Sequence, residues 1–527
     1  MINRIGRKAI AGQLWVVFER RTEYVLALIV LIISCAAAVA LYAYDKNSFV
    51  YFGDAASHIV KAREFTDSQH PGIHNIGTVW LPLPHLLLLP IVTIDGLFYT
   101  GLAGAVLGIP LLVGTTLLIF LTTRRITQST PIAFFSACLC AFNPNVLYMS
   151  FTPMSEPCFI FFVALAGYWF LIWSETGSLR NLALCSASAA LASLCRYEAW
   201  PLAPFLCCAV LLRVMEFRRK RIQGRTFATL LLAGVSWLGI IFWFLWNYAH
   251  YGNAIEFAQR TYSAGSTIAR ETLQREPKEV FLLLGKALML MYGPVILMFG
   301  AIAFFLRRSV IVDRHKTGLL LFLAVLPTST VAAIVAGFVQ VDRWMWNWRY
   351  VLSFAPLLSV AGAISLSEIF RTVRSRMVRS VVVVSLASMP FVQLLNPSVG
   401  VETFKEGQKS FNYGPQYAAD LGRALQRSYI GGSVAMLTGY GQGQRVMLVS
   451  GIPLKKFHLI ASWGKEDLLA SLEDSERYVV IGKDRMPESA QLVDYWLARR
   501  ELLLLYYTVK SEDEHYLLLQ RLNGDYH

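Results

Sequence analysis

The sequence predicts an all-α polytopic membrane protein that ends in a small α/β domain, and three observations carry that prediction. Of its 527 residues, 55% are hydrophobic and only 16% charged, with a mean hydropathy of +0.49, more apolar content than a soluble core absorbs. Its cations gather in short clusters between long apolar runs. After Pro397 the pattern changes to short β-like runs such as SVAMLT, RYVVIG and HYLLLQ, separated by helical patches such as YAADLGRALQRS.

The first apolar run, EYVLALIVLIISCAAAVALYAY at 23–44, matches the ~20 residues that cross ~30 Å of hydrocarbon. It is longer than the apolar part of a signal peptide and reads as an uncleaved anchor. The cationic segments RIGRK, ERR, Arg124–Arg125, RRKRIQGR at 218–225, Arg307–Arg308, DRHK and RTVRSRMVR at 371–379 become cytoplasmic loops by the positive-inside rule. That choice forces about eleven crossings, near 23–44, 98–122, 131–149, 154–173, 180–195, 199–216, 226–249, 281–306, 317–340, 346–370 and 377–396. The N-terminus is then cytoplasmic and the C-terminus outside. The run WLPLPHLLLLPIVTIDG at 80–96 has a short apolar part with three prolines, and counting it as a crossing would put Arg124 and Arg125 outside. It is therefore assigned as a juxtamembrane or re-entrant helix on the outer side.

Two units follow: a transmembrane domain, 1–396, with an outer first loop at 45–97, and a soluble extracytoplasmic α/β domain, 397–527. The second holds 15 Lys+Arg against 16 Asp+Glu, a net −1, so the membrane part carries +15 of a chain total of +14. No basic face for nucleic acid is evident. All eight cysteines fall in apolar stretches, which argues against disulfides, and Cys138/Cys140 and Cys207/Cys208 lack the polar neighbours that a zinc site needs.

With this threading, unusual polar residues from separate crossings collect on the outer face. On a helix starting at Gly53, Asp54, His58 and Lys61 share one face and Ala56, Ile59 and Val60 the other, which suits a helix lying flat on the leaflet. Asp54 is then either an N-cap or a general base at the lipid–water boundary with His58 one turn on. Glu156, at the mouth of a span, is either a cap or a functional acid. Arg196 pairs locally with Glu198 or binds a phosphate, for which its planar fork is suited. Asp342, Arg343, Trp344, Trp346, Trp348, Arg349 and Tyr350 form the densest aromatic and cationic cluster, read as an interfacial belt or a lipid head-group site. Trp80 and His85 join the candidates for substrate binding. Asp67, His70 and His74 have a metal-like spacing broken by Pro71 and Gly72; no residue set is assigned to a metal, and the cofactor, a divalent ion included, stays open. LTGYGQGQR at 437–445 lacks the lysine and spacing of a P-loop and is read as a loop.

These motifs, in order, are G-D-A-x-x-H after the first span, W-L-P-L-P-H at 80–85, N-P-N-x-L-Y and T-P-M-S-E between 143 and 156, C-R-Y-E-A-W at 195–200 and W-R-Y-x-L-x-x-A-P at 348–356. The ensemble resembles the GT-C membrane glycosyltransferases, near the dolichyl-phosphate-mannose–protein mannosyltransferases and the bacterial aminoarabinose transferases. The resemblance covers most of residues 20–370. It implies a sugar on a polyprenyl monophosphate, transfer to a glycan, lipid or protein acceptor on the outer face, inversion at the anomeric carbon, and a bacterial inner membrane. By position, Asp54 matches the first-loop base, Glu156 the acid after the third span, and Arg349 an arginine near the donor phosphate. Members with two adjacent first-loop acids differ from this chain, where Ala55 follows Asp54, and the W-W-D signature of oligosaccharyltransferases is absent. The rival readings are a transporter or flippase, which should carry its charges near mid-bilayer in two related halves, and a non-catalytic scaffold that binds through its tail.

Overall fold

The computed structural model describes residues 2–219, 224–259, 277–305, 313–336, 339, 347–395, 401–413, 415–438, 442–459, 476–483 and 490–522. The apolar runs form helices. Among the described residues eight are long and apolar enough to cross a bilayer: Arg21–Tyr44, Ala103–Thr127, Glu156–Thr176, Tyr197–Met215, Thr226–Tyr251, Arg314–Val335, Trp348–Thr372 and Arg376–Leu395. A further pair, Lys278–Tyr292 and Pro294–Ala303, is apolar enough when taken together but bent by 105°, as in a broken span or a re-entrant loop, and falls on the expected 281–306 crossing. The other two of the eleven expected crossings fall on shorter helices. One is Leu179–Ser193; the other is Thr130–Ala141 followed by Pro144–Met149, interrupted where Pro144 has no N–H to continue the ladder.

The N-P-N motif explains how the bend in this pair is tolerated. Gly293, at φ +78°, turns the chain ahead of Pro294 and leaves the Met291 carbonyl outside a regular helix. Asn143 Nδ2 donates to that carbonyl at 2.8 Å, Asn145 Nδ2 at 3.3 Å and Gln393 Nε2 at 2.7 Å. Irregular backbone at membrane depth persists only where protein groups satisfy it in this way. Asn143 Oδ1 also accepts from the N–H groups of Asn145 and Val146, capping the next helix.

A second packing device fixes the chain that leads to Glu156. A Cβ on Gly108 would lie 2.1 Å from the Ser150 carbonyl oxygen, and one on Gly104 2.4 Å from Pro153 N. The G-x-x-x-G pair lets the Ala103–Thr127 helix press its backbone against residues 150–153. At the far end of the Glu156–Thr176 helix, Arg125 pairs with Glu175 at 2.5 Å, and Arg124 with Glu23 at 2.8 Å. Glu156 and Glu175 therefore sit at opposite ends of one helix, about 28 Å apart at ~1.5 Å per residue.

In the first loop, residues 80–96 form the ten-residue helix Leu83–Val92, too short to cross. The Gly53–Arg63 helix does not lie flat with one face in water, contrary to the amphipathic reading. Ala55, Ala56, Ser57, His58, Ile59, Val60 and Ala62 are all buried, because Leu83–Val92 and the later helix Gln442–Ser450 both pack on it. Alanines on two sides allow that double approach.

The C-terminal part carries a five-stranded sheet in the order β2-β1-β3-β5-β4. Its strands are β1 (Ser433–Leu437), β2 (Phe457–Leu459), β3 (Glu476–Gly482), β4 (Tyr507–Glu512) and β5 (Tyr516–Arg521). β1 pairs in parallel with β2 and β3, while β5 pairs antiparallel with β3 and β4. Alternation along β1 and β3 sends Ala435, Leu437, Val479 and Ile481 to a cluster with Val493 and Trp496. Val434, Met436, Tyr478 and Val480 face the other way, into a cluster that also holds Ile59, Val60, Leu88 and Phe98 of the first loop. The sheet and the first loop thus share one core.

Candidate active site

Arg349 is the hub of the site. It sits in a 3-10 turn, Trp348–Phe354, that leads into a span, with its side chain only 7% exposed. Its Nη2 donates to Asp54 Oδ2 at 2.7 Å, its Nη1 to Glu406 Oε1 at 2.7 Å, and its Nε lies 3.2 Å from Glu156 Oε1. The guanidinium rests over the Phe52 ring, 5.0 Å from its centroid. Arg196 extends the cluster: its Nη1 is 2.9 Å from Glu156 Oε1 and 3.1 Å from Ser155 Oγ, and its Nη2 donates to Glu198 Oε1 at 2.8 Å. It stacks on the Tyr350 ring at 4.3 Å. Asp54, Glu156, Arg196, Glu198, Arg349 and Tyr350, drawn from four stretches of sequence, therefore meet in one place.

The local folding explains each carboxylate. Asp54 and Glu156 stand in the first turns of their helices, where the helix dipole favours negative charge. Neither is the cap: Phe52 and Ser155 hold the N-cap positions, and neither makes a side-chain cap bond. Ser155 Oγ is engaged by Arg196 instead. The capping readings of both acids yield to ion pairing with the arginines.

The carboxylates differ in access. Asp54 is 45% exposed and its Oδ1 has no partner among the described residues, so it is the acid of this cluster open to an incoming molecule. Glu156 is buried; both guanidinia lie at ion-pair distance from its Oε1, and no aligned hydrogen bond reaches its Oε2 among the described residues. Glu406, at 1% exposure, is the most enclosed. It accepts the N–H groups of Asn347 at 2.8 Å and Arg349 at 3.0 Å as well as the guanidinium. Burial pushes its pKa up to about 7, against the pull of Arg349.

His58, Trp80 and His85 form a separate cluster. His58 Nδ1 and His85 Nε2 are 2.7 Å apart, and the His58 ring lies 4.4 Å from Trp80. Burial, with Arg349 and Arg196 adding to it, lowers His58 to about 3, and burial lowers His85 well below its ordinary value. Both imidazoles are neutral at pH 7, and His58 bonds His85 rather than Asp54. His58, expected one turn on from Asp54 in support of proton abstraction, thus faces His85, and the substrate-binding candidates Trp80 and His85 stand beside it.

Arg343, with Asp342, Trp344 and Trp346, lies outside the described residues. Asp67 is taken up by Arg63 and by the N–H groups of Leu454 and Lys455, while His70 and His74 are exposed. Among the described residues no three His, Cys, Asp or Glu side chains are arranged to hold a metal.

Two residues of the cluster escaped sequence reading. Glu406 lies in the helix Glu402–Tyr413, beyond the last span, where nothing nearby in sequence sets it apart. Arg445 closes the run read as a loop; Leu437 ends β1, Gln442–Arg445 open the Gln442–Ser450 helix, and 439–441 lie outside the described residues. It is fully buried, donates through Nη2 to the Val50, Tyr51 and Phe52 carbonyls, and stacks on Phe411 at 4.8 Å. The signal available was an arginine inside a glycine-rich, otherwise apolar run.

No family model matches the chain, and no curated protein matches it. Among solved structures it is similar to ArnT from Cupriavidus metallidurans in the apo state, with 13% identity, 93% of this chain and 97% of that one covered, and a TM-score of 0.55. ArnT from the same organism bound to undecaprenyl phosphate gives 12% identity, the same coverage and a TM-score of 0.54. The archaeal oligosaccharyltransferase AglB from Archaeoglobus fulgidus, in complex with an inhibitory peptide and a dolichol-phosphate, gives 13% identity over 95% of this chain and 74% of that one, with a TM-score of 0.49. The chain shares the fold of ArnT along nearly its whole length, and its long apolar helices are those of an integral membrane protein.

Proposed function

We propose that this protein is a membrane glycosyltransferase that moves a sugar from a polyprenyl-phosphate carrier to an acceptor on the outer face of a bacterial inner membrane. The observation that carries the reading is the convergence on Arg349 of Asp54, Glu156 and Glu406, from three distant parts of the chain. The likeness in fold to ArnT, which has been seen with undecaprenyl phosphate, supports the donor class. The ion pairs of Arg124 and Arg125 at the other end of the Glu156–Thr176 helix support an outer location, since cationic ends face the cytoplasm.

In this reading the donor phosphate exchanges places with carboxylate oxygens on Arg349 and Arg196. The Asp54 carboxylate takes the proton of the acceptor hydroxyl as that oxygen attacks the anomeric carbon. The bond from that carbon to the phosphate oxygen breaks, and the polyprenyl phosphate leaves with the electron pair. Fixed guanidinia in a largely buried site stabilise the charge growing on the leaving phosphate. Anchoring the donor lipid in the bilayer holds the reacting atoms together. Direct displacement inverts the anomeric centre. Glu156 Oε2 is suited to accept a hydroxyl of the bound sugar.

The test is transfer by purified protein in lipid nanodiscs, supplied with sugar-loaded undecaprenyl phosphate and candidate acceptors. The expected result is release of undecaprenyl phosphate with sugar on the acceptor. Movement of lipid or solute across proteoliposomes without any cleavage of the donor would refute the reading in favour of a transporter.

A further inference from the structure

The segment after the last span holds the reaction centre from behind at two points. We propose that Glu406 and Arg445 are positioning residues: Glu406 sets Arg349, and Arg445 sets the stretch of chain that presents Asp54. The C-terminal segment then completes the site rather than serving as a detachable binding module. This inference rests on the glycosyl-transfer reading of the Arg349 cluster.

Glu406 holds Arg349 at both ends. One carboxylate accepts the Asn347 N–H, the Arg349 N–H and Arg349 Nη1, so it fixes the backbone turn and the guanidinium together. The turn enters through Asn347, in the left-handed region at φ +61°, a conformation that Asn adopts more readily than other residues with a Cβ. With Nη1 bound to Glu406, the planar fork has its Nε facing Glu156 and its Nη2 facing Asp54. Without Glu406 the fork is free to swing out of that plane.

Arg445 acts on the other partner. Its Nη2 donates to three successive carbonyls, Val50, Tyr51 and Phe52, immediately before the Gly53–Arg63 helix that carries Asp54. The Glu402–Tyr413 helix adds contacts to the same stretch. Ser410 Oγ accepts the Gly53 N–H at 3.3 Å, and Phe404 and Phe411 lie 5.5 and 5.3 Å from the Tyr51 ring. Gly407 permits this closeness, since a Cβ there would lie 3.0 Å from the Tyr148 hydroxyl and 3.2 Å from the Phe52 ring. Thr403 ties the same helix to Asn145 of the N-P-N motif through its N–H at 3.0 Å. Arg445 has no carboxylate partner among the described residues, and its Nε and Nη1 make no hydrogen bond there. An apolar side chain of similar volume would avoid the cost of burying that charge, so a role beyond filling space fits its presence.

The experiment uses the full chain in nanodiscs and measures undecaprenyl phosphate affinity, donor KM, kcat and melting temperature for Glu406→Gln, Arg445→Met and Arg349→Lys. Glu406→Gln is expected to weaken lipid-phosphate binding and raise donor KM about 10- to 100-fold, the range for losing a hydrogen bond to a charged group, with Glu406→Asp recovering part of the loss. Arg445→Met is expected to lower kcat while donor KM stays near that of wild type, because it displaces Asp54 and not the phosphate-binding arginines. Unchanged KM in Glu406→Gln, or losses in both variants that only track the fraction of protein that stays folded, would overturn the positioning roles. If Glu406→Gln does not fold, a donor KM in Glu406→Asp equal to wild type overturns the inference, and a raised one supports it. Undecaprenyl phosphate affinity unaltered in Arg349→Lys would overturn the glycosyl-transfer reading itself, and this inference with it.

Discussion

Replacing Asp54 by Asn separates chemistry from folding. The side chain is 45% exposed and contributes one ion pair, 2.7 Å to Arg349. Exposed pairs are worth ~0.2–1 kcal/mol, and Arg349 keeps Glu156 and Glu406 after the change. The melting temperature should therefore fall by no more than about 2–4 °C. Loss of a general base costs ~10²- to 10⁴-fold in rate, or about 2.7–5.4 kcal/mol of barrier at ~1.36 kcal/mol per decade. Arg349→Met provides the contrast, because it strands Glu406, at 1% exposure, without its cation and leaves Glu156, at 3% exposure, with Arg196 alone. Breaking a buried pair from one side costs ~3–5 kcal/mol of stability, so that variant should melt well below wild type. The assay is transfer of sugar from its undecaprenyl phosphate carrier in nanodiscs, with melting followed on the same samples. Near-wild-type turnover in Asp54→Asn would refute the assignment of the base.

Other outcomes follow from the same geometry. Gly108→Ala should destabilise the fold by ~1–3 kcal/mol, read as a lower melting temperature, since its Cβ would lie 2.1 Å from the Ser150 carbonyl oxygen. His58→Asn should leave the pH profile of transfer unchanged, because His58 is neutral and bonded to His85; a shifted acid limb would restore a proton-transfer role. Glu406 is raised by burial from 4.5 to about 7. Its contribution to stability is then present below pH 4.5 and lost as pH rises through about 7. Melting temperature followed across that window should fall more steeply with pH in wild type than in Glu406→Gln.

Much of the membrane architecture was legible because lipid imposes length and charge rules on each run separately. The site was legible in part for a similar reason: Asp54, Glu156, Arg196, Glu198 and Arg349 are ionisable residues beside apolar runs, where charge is costly and needs a partner. Their ion pairing was less visible than their presence, and Asp54 and Glu156 each looked like a possible helix cap until a partner from another element was in view. The Gly53–Arg63 helix was misjudged because its alanines, weakly apolar in sequence, pack closely against two other helices. His58 followed the helical spacing of Asp54 yet turned to His85, a partner 27 residues away. Glu406 and Arg445 stayed hidden because they lie in the polar segment, where a charged residue attracts no notice, and only the docking of that segment on the first loop buries them. Strands β2 and β4 carry too little apolar alternation to stand out, and their pairing with neighbouring strands defines them.

The central claim is that the arginines gathered by Asp54, Glu156 and Glu198 receive the phosphate of a polyprenyl carrier. An experimental structure of the protein with undecaprenyl phosphate tests it most directly. The account predicts phosphate oxygens at ~2.7–2.9 Å from the guanidinium nitrogens of Arg349 or Arg196, with the Asp54 carboxylate freed to face the acceptor side. A phosphate seated elsewhere, with the Asp54–Arg349 and Arg196–Glu198 pairs intact, would contradict it.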